Sequence, residues 1–385
     1  MRFECFTVGR IIVERGGVRR LPELVSSARR VMVIHNATSL CGTIAGILQA
    51  AGIGCEAVEQ KGEPTVQSVT MALDCARAAG CDAVIGAGGG SAMDCAKAVA
   101  ALLANGGGPL DYMEVVGKGQ KITRASVPWI AVPTTAGTGA EATRNAVVGY
   151  HEKQFKASIR SELMLARVAL LDAELAVGVP RHVTAASGAD ALCQVIESYT
   201  SVNANPICDG MAAEGIALAA KSLRKVYDDG TNVDAREDMA IVALLSGITL
   251  SNAGLGAVHG FAAPMGAVYP VPHGVVCAAL LPHVMAANVA ALRERGTGAA
   301  LGRYAAVGRL LTGQVLPDDA AAIDAGILWI QELIAYMQIP RLREFGVHES
   351  RVEAMVQLAK KASSMRHNPI VLSDEELTKI VQTAL

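Results

Sequence analysis

Up to about residue 175, the sequence alternates short apolar runs with segments of helical periodicity. Five runs have the length, the β-branched content and the flanking breakers of buried strands, and they lie at residues 31–35, 55–59, 83–87, 129–133 and 168–172. Between them, apolar residues recur every three or four positions near residues 39–51, 67–79 and 92–104. This order of strand, helix and strand predicts an α/β domain with a Rossmann-like parallel sheet, which we place at residues 1–179.

The pattern changes after Pro180. Long helical stretches rich in Ala and Leu follow one another with no convincing strand between them, so we predict an all-α C-terminal domain over residues 180–385. Near the end of the chain, Ser373 is followed three residues later by Glu376. This is the spacing of a capping box, and it predicts the start of a final helix.

The composition limits the partners that this chain can have. Its 34 Lys and Arg nearly balance 36 Asp and Glu, and the formal net charge of −2 without a long basic run argues against nucleic acid. Only 18% of the residues are charged, which favours a homo-oligomer in which a second copy covers apolar surface. Nine cysteines without a C-x-x-C pair, and an N-terminus without an apolar signal-peptide core, predict a cytoplasmic protein with reduced thiols.

The stretch from Ala240 to Leu292 contains no Asp, Glu, Lys or Arg, so a membrane hairpin has to be considered. Prolines, histidines and small polar residues interrupt each apolar run before it reaches the roughly 20 residues that a bilayer span requires. We therefore predict that this stretch forms a buried core around a functional site, and that the protein has no membrane segment.

A glycine-rich turn lies between the predicted strand at residues 83–87 and the helix after it, and its members are Gly88, Gly89, Gly90 and Ser91. Bare backbone N–H groups at a helix N-terminus typically bind a phosphate. The spacing is not G-x-G-x-x-G, so the predicted pyrophosphate site is not of the standard Rossmann type. The alternative is that Ser91 and Asp94 only form a capping box.

A second turn of this kind follows the predicted strand at residues 129–133, and its hydroxyl groups belong to Thr134, Thr135 and Thr138. Open α/β sheets bind their ligands just beyond the carboxyl ends of the strands. Two such turns in one sheet therefore favour a dinucleotide-binding function for the N-terminal domain.

A candidate metal site lies in the helical half. Asp190 and Gln194 are four residues apart in a predicted helix and so face the same side. His259 and His273 lie in the charge-free stretch, and a glycine follows each of them. A carboxylate with two imidazoles can hold Fe²⁺ or Zn²⁺ and leave coordination positions open. The other interpretation is that histidines so far apart in sequence are satisfied core residues.

Taken together, these segments resemble the iron-containing (group III) alcohol dehydrogenases. The resemblance rests on GAGGGSAMDCAKA, VPTTAGTGAEAT, GADAL, the two His-Gly pairs and the Asn368-Pro369 segment, and it covers nearly the whole chain. It implies a dehydroquinate synthase-like architecture. A nicotinamide cofactor, NAD or NADP, would lie between the α/β domain and the helical metal-binding domain.

The resemblance also implies roles for individual residues. The implied cofactor contacts are Gly88, Gly89, Gly90 and Ser91 with the pyrophosphate, Asp94 near the nicotinamide end, Thr134, Thr135 and Thr138 on the adenosine side, and Lys156 at the ribose. The implied metal ligands, which would also form the catalytic centre, are Asp190, His259 and His273, with Gln194 as a weaker fourth ligand.

Three positions depart from the family pattern. Gln194 stands where a histidine usually binds the metal, which predicts weaker metal binding. Ala263 stands where another histidine often assists proton transfer, so water, a ribose hydroxyl or Tyr269 would have to replace it. His35 and Asn36 end the first predicted strand, where an acidic residue would repel the 2′-phosphate of NADP, so NADP is not excluded.

The sequence thus predicts an NAD(P)-dependent oxidoreductase that interconverts a small alcohol and its aldehyde or ketone by hydride transfer, with a divalent metal as Lewis acid. Because Gln194 and Ala263 both weaken the metal site, a metal-independent oxo-acid reductase of the maleylacetate type is an alternative. A lyase that resembles the dehydroquinate synthases is a second alternative.

Overall fold

The computed structural model describes residues 3–153, 155–296 and 298–385. These residues form two compact units: an N-terminal unit of residues 6–177, and a C-terminal unit of residues 178–385 to which residues 3–5 also belong. We predicted that residues 1–179 bind the dinucleotide and that residues 180–385 bind the metal and carry out catalysis. This assignment of roles stays a prediction.

The N-terminal unit contains a parallel six-stranded sheet, as the sequence predicted. Its strands are β1 (Ile11–Val13), β2 (Arg30–His35), β3 (Gly54–Glu59), β4 (Ala83–Gly88), β5 (Trp129–Pro133) and β8 (Val168–Leu171). The order across the sheet is β1, β8, β5, β4, β2, β3. The five predicted strands correspond to β2, β3, β4, β5 and β8. Strand β4 is central and fully buried, which agrees with its unbroken run of apolar and small residues.

Three strands of the structure were not predicted from the sequence. Strand β1 has only three residues, and two of them are exposed. Strands β6 (Asn145–Tyr150) and β7 (Phe155–Arg160) pair antiparallel in a separate two-stranded sheet. Both carry charged or polar residues among their apolar ones, so they lack the continuous apolar run that identifies a buried parallel strand.

Helices cover the sheet at the positions that the sequence predicted, and they are α2 (Thr38–Ala50), α3 (Val66–Ala78) and α4 (Gly90–Asn105), with the short α1 (Leu21–Leu24) and α5 (Pro109–Tyr112). Helix α4 follows the central strand β4, and most of its side chains are buried. It is therefore a core helix whose N-terminus lies directly after the sheet.

The described part of the C-terminal unit contains helices and no strand, as predicted. Its helices are α6 (Arg181–Thr200), α7 (Pro206–Asp228), α8 (Val233–Ala253), α9 (Ala257–Val268), α10 (His273–Arg295), α11 (Gly298–Thr312), α12 (Asp319–Tyr336), α13 (Val352–Ala359) and α14 (Asp374–Ala384). Helix α6 packs against α7, α8 and α10, and α10 packs against α9. The predicted capping box is confirmed, because Ser373 and Glu376 cap the start of α14 reciprocally.

The charge-free stretch of the sequence forms most of α8, all of α9 and most of α10. By length and composition alone, α10 could cross a membrane, since its mean hydropathy reaches 2.0. However, 72% of that apolar window is buried inside the protein, as in the core helix of a globular domain. This burial supports the predicted buried core.

Candidate active site

Three neighbouring strands of the sheet end at the same edge. The register pairs His35 with Ala87 and Gly88 with Pro133, so β2, β4 and β5 finish level with one another. Three segments emerge at this edge: Asn36 after β2, the glycine turn (residues 88–91) after β4, and the threonine turn (residues 134–138) after β5. The topology thus brings the two predicted turns together.

Hydrogen bonds join the three segments. The backbone N–H of Thr134 donates to the carbonyl oxygen of Gly88 over 2.9 Å. The backbone N–H of Gly89 donates to the side-chain oxygen of Asn36 over 3.3 Å. The glycine turn is therefore held from both neighbouring strands.

Side chains of the neighbouring segments fill the space around the glycine turn. A Cβ atom at Gly88 would lie 2.1 Å from Oδ1 of Asn36, and one at Gly90 would lie 2.7 Å from Oγ1 of Thr138. A Cβ at Gly89 would lie 3.2 Å from Oγ1 of Thr135, so this position is tighter than an ordinary contact but less crowded. Only bare backbone fits between these side chains at residues 88 and 90.

The structure at the start of α4 contradicts one interpretation of the glycine turn, the capping box of Ser91 and Asp94. The helix begins at Gly90, Gly89 is the N-cap residue, and no described side chain accepts a capping hydrogen bond there. Ser91 is already the second helical residue, so Ser91 and Asp94 do not form a capping box. Among the described residues, the N-terminus of α4 therefore keeps backbone N–H groups without a side-chain cap, and such groups favour an anion.

Asp94 instead belongs to a buried network behind the glycine turn. Its carboxylate accepts the backbone N–H of Val147 over 3.0 Å and lies 3.4 Å from Nζ of Lys97. The Lys97 ammonium is completely buried and also donates to Oγ1 of Thr143 over 2.6 Å and to the carbonyl oxygen of Asn145 over 2.7 Å. These contacts attach α4 to β6. The predicted role of Asp94 at the nicotinamide end stays a prediction.

The structure places Lys156 on strand β7. Its ammonium forms an ion pair with Glu63, with 2.5 Å between Nζ and Oε2. The predicted contact of Lys156 with a ribose stays a prediction, and it would compete with this ion pair.

In the C-terminal unit, four side chains from three helices meet in what we call the donor cluster: Asp190 of α6, His259 of α9, and His273 and Cys277 of α10. One ligand atom from each lies within 4.8 Å of all the others. Nε2 of His259 is 3.3 Å, and Nε2 of His273 is 3.7 Å, from Oδ1 of Asp190. The structure therefore unites the three residues that the sequence predicted as metal ligands and adds Cys277.

The carboxylate in the donor cluster is unusual for a buried group. Asp190 is 2% exposed, yet its Oδ1 atom makes no hydrogen bond with the described part of the protein, although two imidazoles surround it. A buried, unpartnered carboxylate oxygen is costly, and a cation is the usual partner that removes the cost. The atom and its neighbours therefore fit a bound metal ion.

Glu197 fixes the orientation of His259. Oε2 of Glu197 lies 2.6 Å from Nδ1 of His259, and Oε1 accepts the backbone N–H of Val258 over 2.8 Å at the start of α9. With Nδ1 held by this carboxylate, Nε2 points at Asp190. A carboxylate behind a histidine in this way is the usual support of a metal-binding imidazole.

The side chain of Gln194 hydrogen-bonds to a residue outside the donor cluster. Its side-chain oxygen, the atom that would bind a metal, accepts the hydroxyl of Ser246 over 2.6 Å in the buried interface between α6 and α8. The predicted role of Gln194 as a fourth ligand stays a prediction, and this hydrogen bond does not support it. Ala263 lies one turn after His259 on α9 and is exposed.

The electrostatics of the donor cluster favour positive charge at its centre. Burial alone would raise the pKa of Asp190, but the imidazoles of His273 and His259 outweigh it and lower that pKa. The sulfur of Cys277, together with Asp190, raises the pKa of His273 to about 9 against the opposing effect of burial.

Sequence reasoning missed Cys277, Glu197 and Lys97, although each had a spacing signal. Cys277 follows His273 by four residues, and Glu197 follows Asp190 by seven, so each pair shares a helix face. Lys97 follows Asp94 by three residues. The spacing did not reveal which other helix or strand each of these faces contacts.

Two family models match this chain. The model described as iron-containing alcohol dehydrogenase matches residues 9–173, and that of the C-terminal part of the Fe-containing alcohol dehydrogenase family matches residues 184–385. Together the two models account for nearly all of both units.

Individual proteins are similar over most of their length. The probable alcohol dehydrogenase EutG of Escherichia coli (strain K12) is 38% identical over 84% of this chain and 78% of its own length. The NAD-dependent methanol dehydrogenase of Bacillus methanolicus is 30% identical over 97% of both chains. The crystal structure of a 1,3-propanediol oxidoreductase is 30% identical, covers 100% of both chains and superposes with a TM-score of 0.92.

Proposed function

The chain belongs to the iron-containing alcohol dehydrogenase family, and from this premise we propose that it moves hydride between a nicotinamide cofactor and a small alcohol or its aldehyde at a divalent metal centre. The observation that carries the metal centre is the convergence of Asp190, His259 and His273 around a carboxylate oxygen without a hydrogen-bond partner. The oxygen and nitrogen donors suit Fe²⁺ or Zn²⁺.

Each residue near the proposed metal has a task that follows from its contacts. Bound at the donor cluster, the metal would supply Lewis acidity, which polarises a carbonyl and lowers the pKa of an alcohol. Glu197 keeps Nε2 of His259 directed at the site by holding Nδ1. Asp190 contributes negative charge, and the buried apolar side chains of α9 and α10 lower the dielectric around it.

The glycine turn is the proposed binding site for the cofactor pyrophosphate. Its crowded, side-chain-free backbone and the uncapped N-terminus of α4 fit an anionic group. Thr134, Thr135 and Thr138 line the same edge and would contact the adenosine side of the cofactor. The fit concerns the phosphates, so it does not distinguish NAD from NADP.

For the choice between NAD and NADP, we propose that both are accepted with kcat/KM values within roughly tenfold, because Asn36 brings no carboxylate to repel a 2′-phosphate. Asn36 lies beside the glycine turn, since it accepts the Gly89 N–H. Asn36→Asp should shift the ratio toward NADH in steady-state kinetics. A wild-type preference beyond a hundredfold would contradict this proposal.

The substrate is proposed as a small primary alcohol or its aldehyde, in line with the relatives named for methanol and 1,3-propanediol. The metal-independent oxo-acid reductase is less well supported, because Asp190, His259 and His273 converge as a set of metal donors that such an activity would not need. The oxidoreductase family models also favour hydride transfer over the lyase alternative.

Two further expectations are proposals as well. We propose a homo-oligomer, on the low fraction of charged residues, and a cytoplasmic location, on nine cysteines that are all unpaired in the structure. Size-exclusion chromatography with light scattering checks the first proposal. Cell fractionation checks the second.

The direct test of the proposed function is metal analysis of protein purified without chelator, followed by NADH and NADPH oxidation with short aldehydes and with oxo-acids. We expect a stoichiometric divalent metal and turnover of aldehydes that stops when the metal is removed. Full turnover by metal-free protein would contradict the proposal.

A further inference from the structure

The donor cluster contains a fourth potential ligand that the family resemblance did not indicate. Cys277 lies one helical turn after His273 on α10, so both side chains leave the same face of the helix. Its Sγ atom is 3.6 Å from Nε2 of His259 and 3.6 Å from Nε2 of His273. The sulfur therefore contacts both imidazoles through the nitrogen atoms that face Asp190.

These separations have the dimensions of a tetrahedral metal site. With metal–nitrogen and metal–oxygen bonds near 2.0–2.1 Å and a metal–sulfur bond near 2.3 Å, tetrahedral angles separate two N or O ligands by about 3.3 Å, and S from N by about 3.6 Å. The two distances to Sγ are 3.6 Å, and the two imidazole distances to Oδ1 of Asp190 are 3.3 and 3.7 Å. All four ligand atoms lie within 4.8 Å of one another, and these four separations suit a single ion.

The neighbouring groups explain why sulfur would replace the usual donor. The oxygen of Gln194 is held by Ser246 and is not free to serve as the fourth ligand. The second thiol near the cluster, Cys193, lies 4.0 Å from Nδ1 of His259, the nitrogen that Glu197 holds. Cys193 lies on the supporting side of His259 and also hydrogen-bonds to the sulfur of Cys277, which lies on the side of Asp190.

We propose that Cys277 binds the metal as a thiolate and forms, with Asp190, His259 and His273, a four-ligand site that prefers Zn²⁺ to Fe²⁺. The inference rests on the proposed metal centre and specifies its fourth donor. A soft sulfur ligand and tetrahedral geometry favour zinc over iron, and the substrate oxygen would then enter as a fifth ligand. Because a fourth protein ligand strengthens retention of the ion, Gln194 no longer implies a weak site.

Cobalt(II) provides a test that does not depend on activity, because a thiolate bound to Co²⁺ gives a ligand-to-metal charge-transfer absorption in the near ultraviolet. We expect this band in the Co²⁺-substituted wild-type protein, and we expect its loss in Cys277→Ser and Cys277→Ala. Cys193→Ser is the matched control, since it removes a neighbouring buried thiol and should leave the band unchanged.

Zinc affinity provides a second measurement on the same proteins. Competition with a chromophoric chelator should show binding at least about tenfold weaker in Cys277→Ala than in the wild type and Cys193→Ser. Circular dichroism checks that each variant is folded, and if one of the two Cys277 variants is not, the other carries the test.

The outcomes separate this inference from the proposed function. Co²⁺ bound by the wild type without a charge-transfer band, or with a band that persists in Cys277→Ser, would overturn the role of Cys277 and leave the metal centre intact. A band lost in Cys193→Ser and retained in Cys277→Ser would assign the sulfur to Cys193 and overturn the proposal. A wild-type protein that binds neither Co²⁺ nor Zn²⁺ would overturn both proposals.

Discussion

The glycine turn and the donor cluster solve the problem of ligand binding in different ways. The glycine turn uses backbone, and side chains are excluded from it because those of Asn36 and Thr138 already fill the space. The donor cluster uses side chains only, from α6, α9 and α10. An added Cβ atom should therefore disable the first site, and a removed side chain should disable the second.

The two regions also differ in how they treat buried charge. In the N-terminal unit, the buried ammonium of Lys97 has a carboxylate, a hydroxyl and a carbonyl as partners. In the C-terminal unit, Oδ1 of Asp190 has no hydrogen-bond partner among the described residues, and the imidazoles of His259 and His273 lie 3.3 and 3.7 Å away. Hydrogen bonds within the protein satisfy the first group, whereas the second is placed to bind an ion, and this contrast distinguishes a structural network from a binding site.

The largest effect is expected at the glycine turn. Gly90→Val places branched atoms against Thr138, where even a Cβ would lie 2.7 Å from Oγ1, so we expect NADH binding to fall below detection by fluorescence titration. Gly46→Val is the matched control, because a Cβ at Gly46 on α2 meets nothing within 4 Å. A folded Gly90→Val protein with wild-type NADH affinity would show that the segment is only a turn.

At the donor cluster, His273→Ala should lower the reductase rate by at least about 100-fold, because a metal ligand and the charge it controls are lost. NADH affinity should change little, since the cofactor phosphates are assigned to the other unit. His348→Ala, which removes an exposed imidazole in the same unit, should leave the rate unchanged. A wild-type rate in His273→Ala would contradict the metal mechanism.

A smaller effect is expected at Glu197, which holds the imidazole of His259 and would not itself contact the metal. Glu197→Gln leaves a neutral amide against Nδ1 of His259, so the orientation and basicity of that imidazole should suffer, and zinc affinity should fall by about 10-fold to 100-fold. Chelator competition measures the affinity. The exposed Glu214→Gln on α7 serves as the control. Equal affinities in both variants would mean that Glu197 only caps α9.

The last expected effect is on the stability of the protein, through a group in the N-terminal unit. Burial raises the pKa of Glu141 to about 7, against the opposing charge of Lys97. Between the ordinary value of 4.5 and about 7, the folded state binds a proton that the unfolded chain releases, so this group reduces stability as pH rises through that window.

Glu141→Gln removes this titration. Near pH 4.5 the variant and the wild type should be similarly stable, and at pH 8 the variant should be more stable by about 3 kcal/mol at most. Urea unfolding at both pH values measures the difference, and groups common to both proteins cancel. A difference that is the same at both pH values would contradict the buried, protonated state of Glu141.

The sequence predicted most of the fold because the relevant signals are local. Strand β4, the glycine turn and α4 are consecutive, so their order alone indicates a phosphate site. The short β1 and the half-polar β6 and β7 have no such signal, because their pairing depends on partners distant in sequence. Because β1 precedes it, the first predicted strand, at residues 31–35, is the second strand of the chain.

The donor cluster shows the same limit for a site. His259 and His273 could be selected because each stands before a glycine in the charge-free stretch, and Asp190 because it lies in the GADAL segment of the family resemblance. Cys277 was one cysteine among nine, and only the packing of α10 against α6 and α9 gives it contacts that differ from those of the others. Gln194 shares a helix face with Asp190, yet its oxygen bonds to Ser246 of α8, which no spacing in α6 reveals.

The central claim is that backbone in one unit binds the cofactor phosphates while side chains in the other bind the metal. The most direct test is to remove the metal with a chelator and measure both NADH affinity and the reductase rate on the same sample. We predict NADH affinity within about threefold of the untreated protein, together with loss of activity that added Zn²⁺ or Fe²⁺ restores. Loss of NADH binding with the metal, or full activity without it, would contradict the claim.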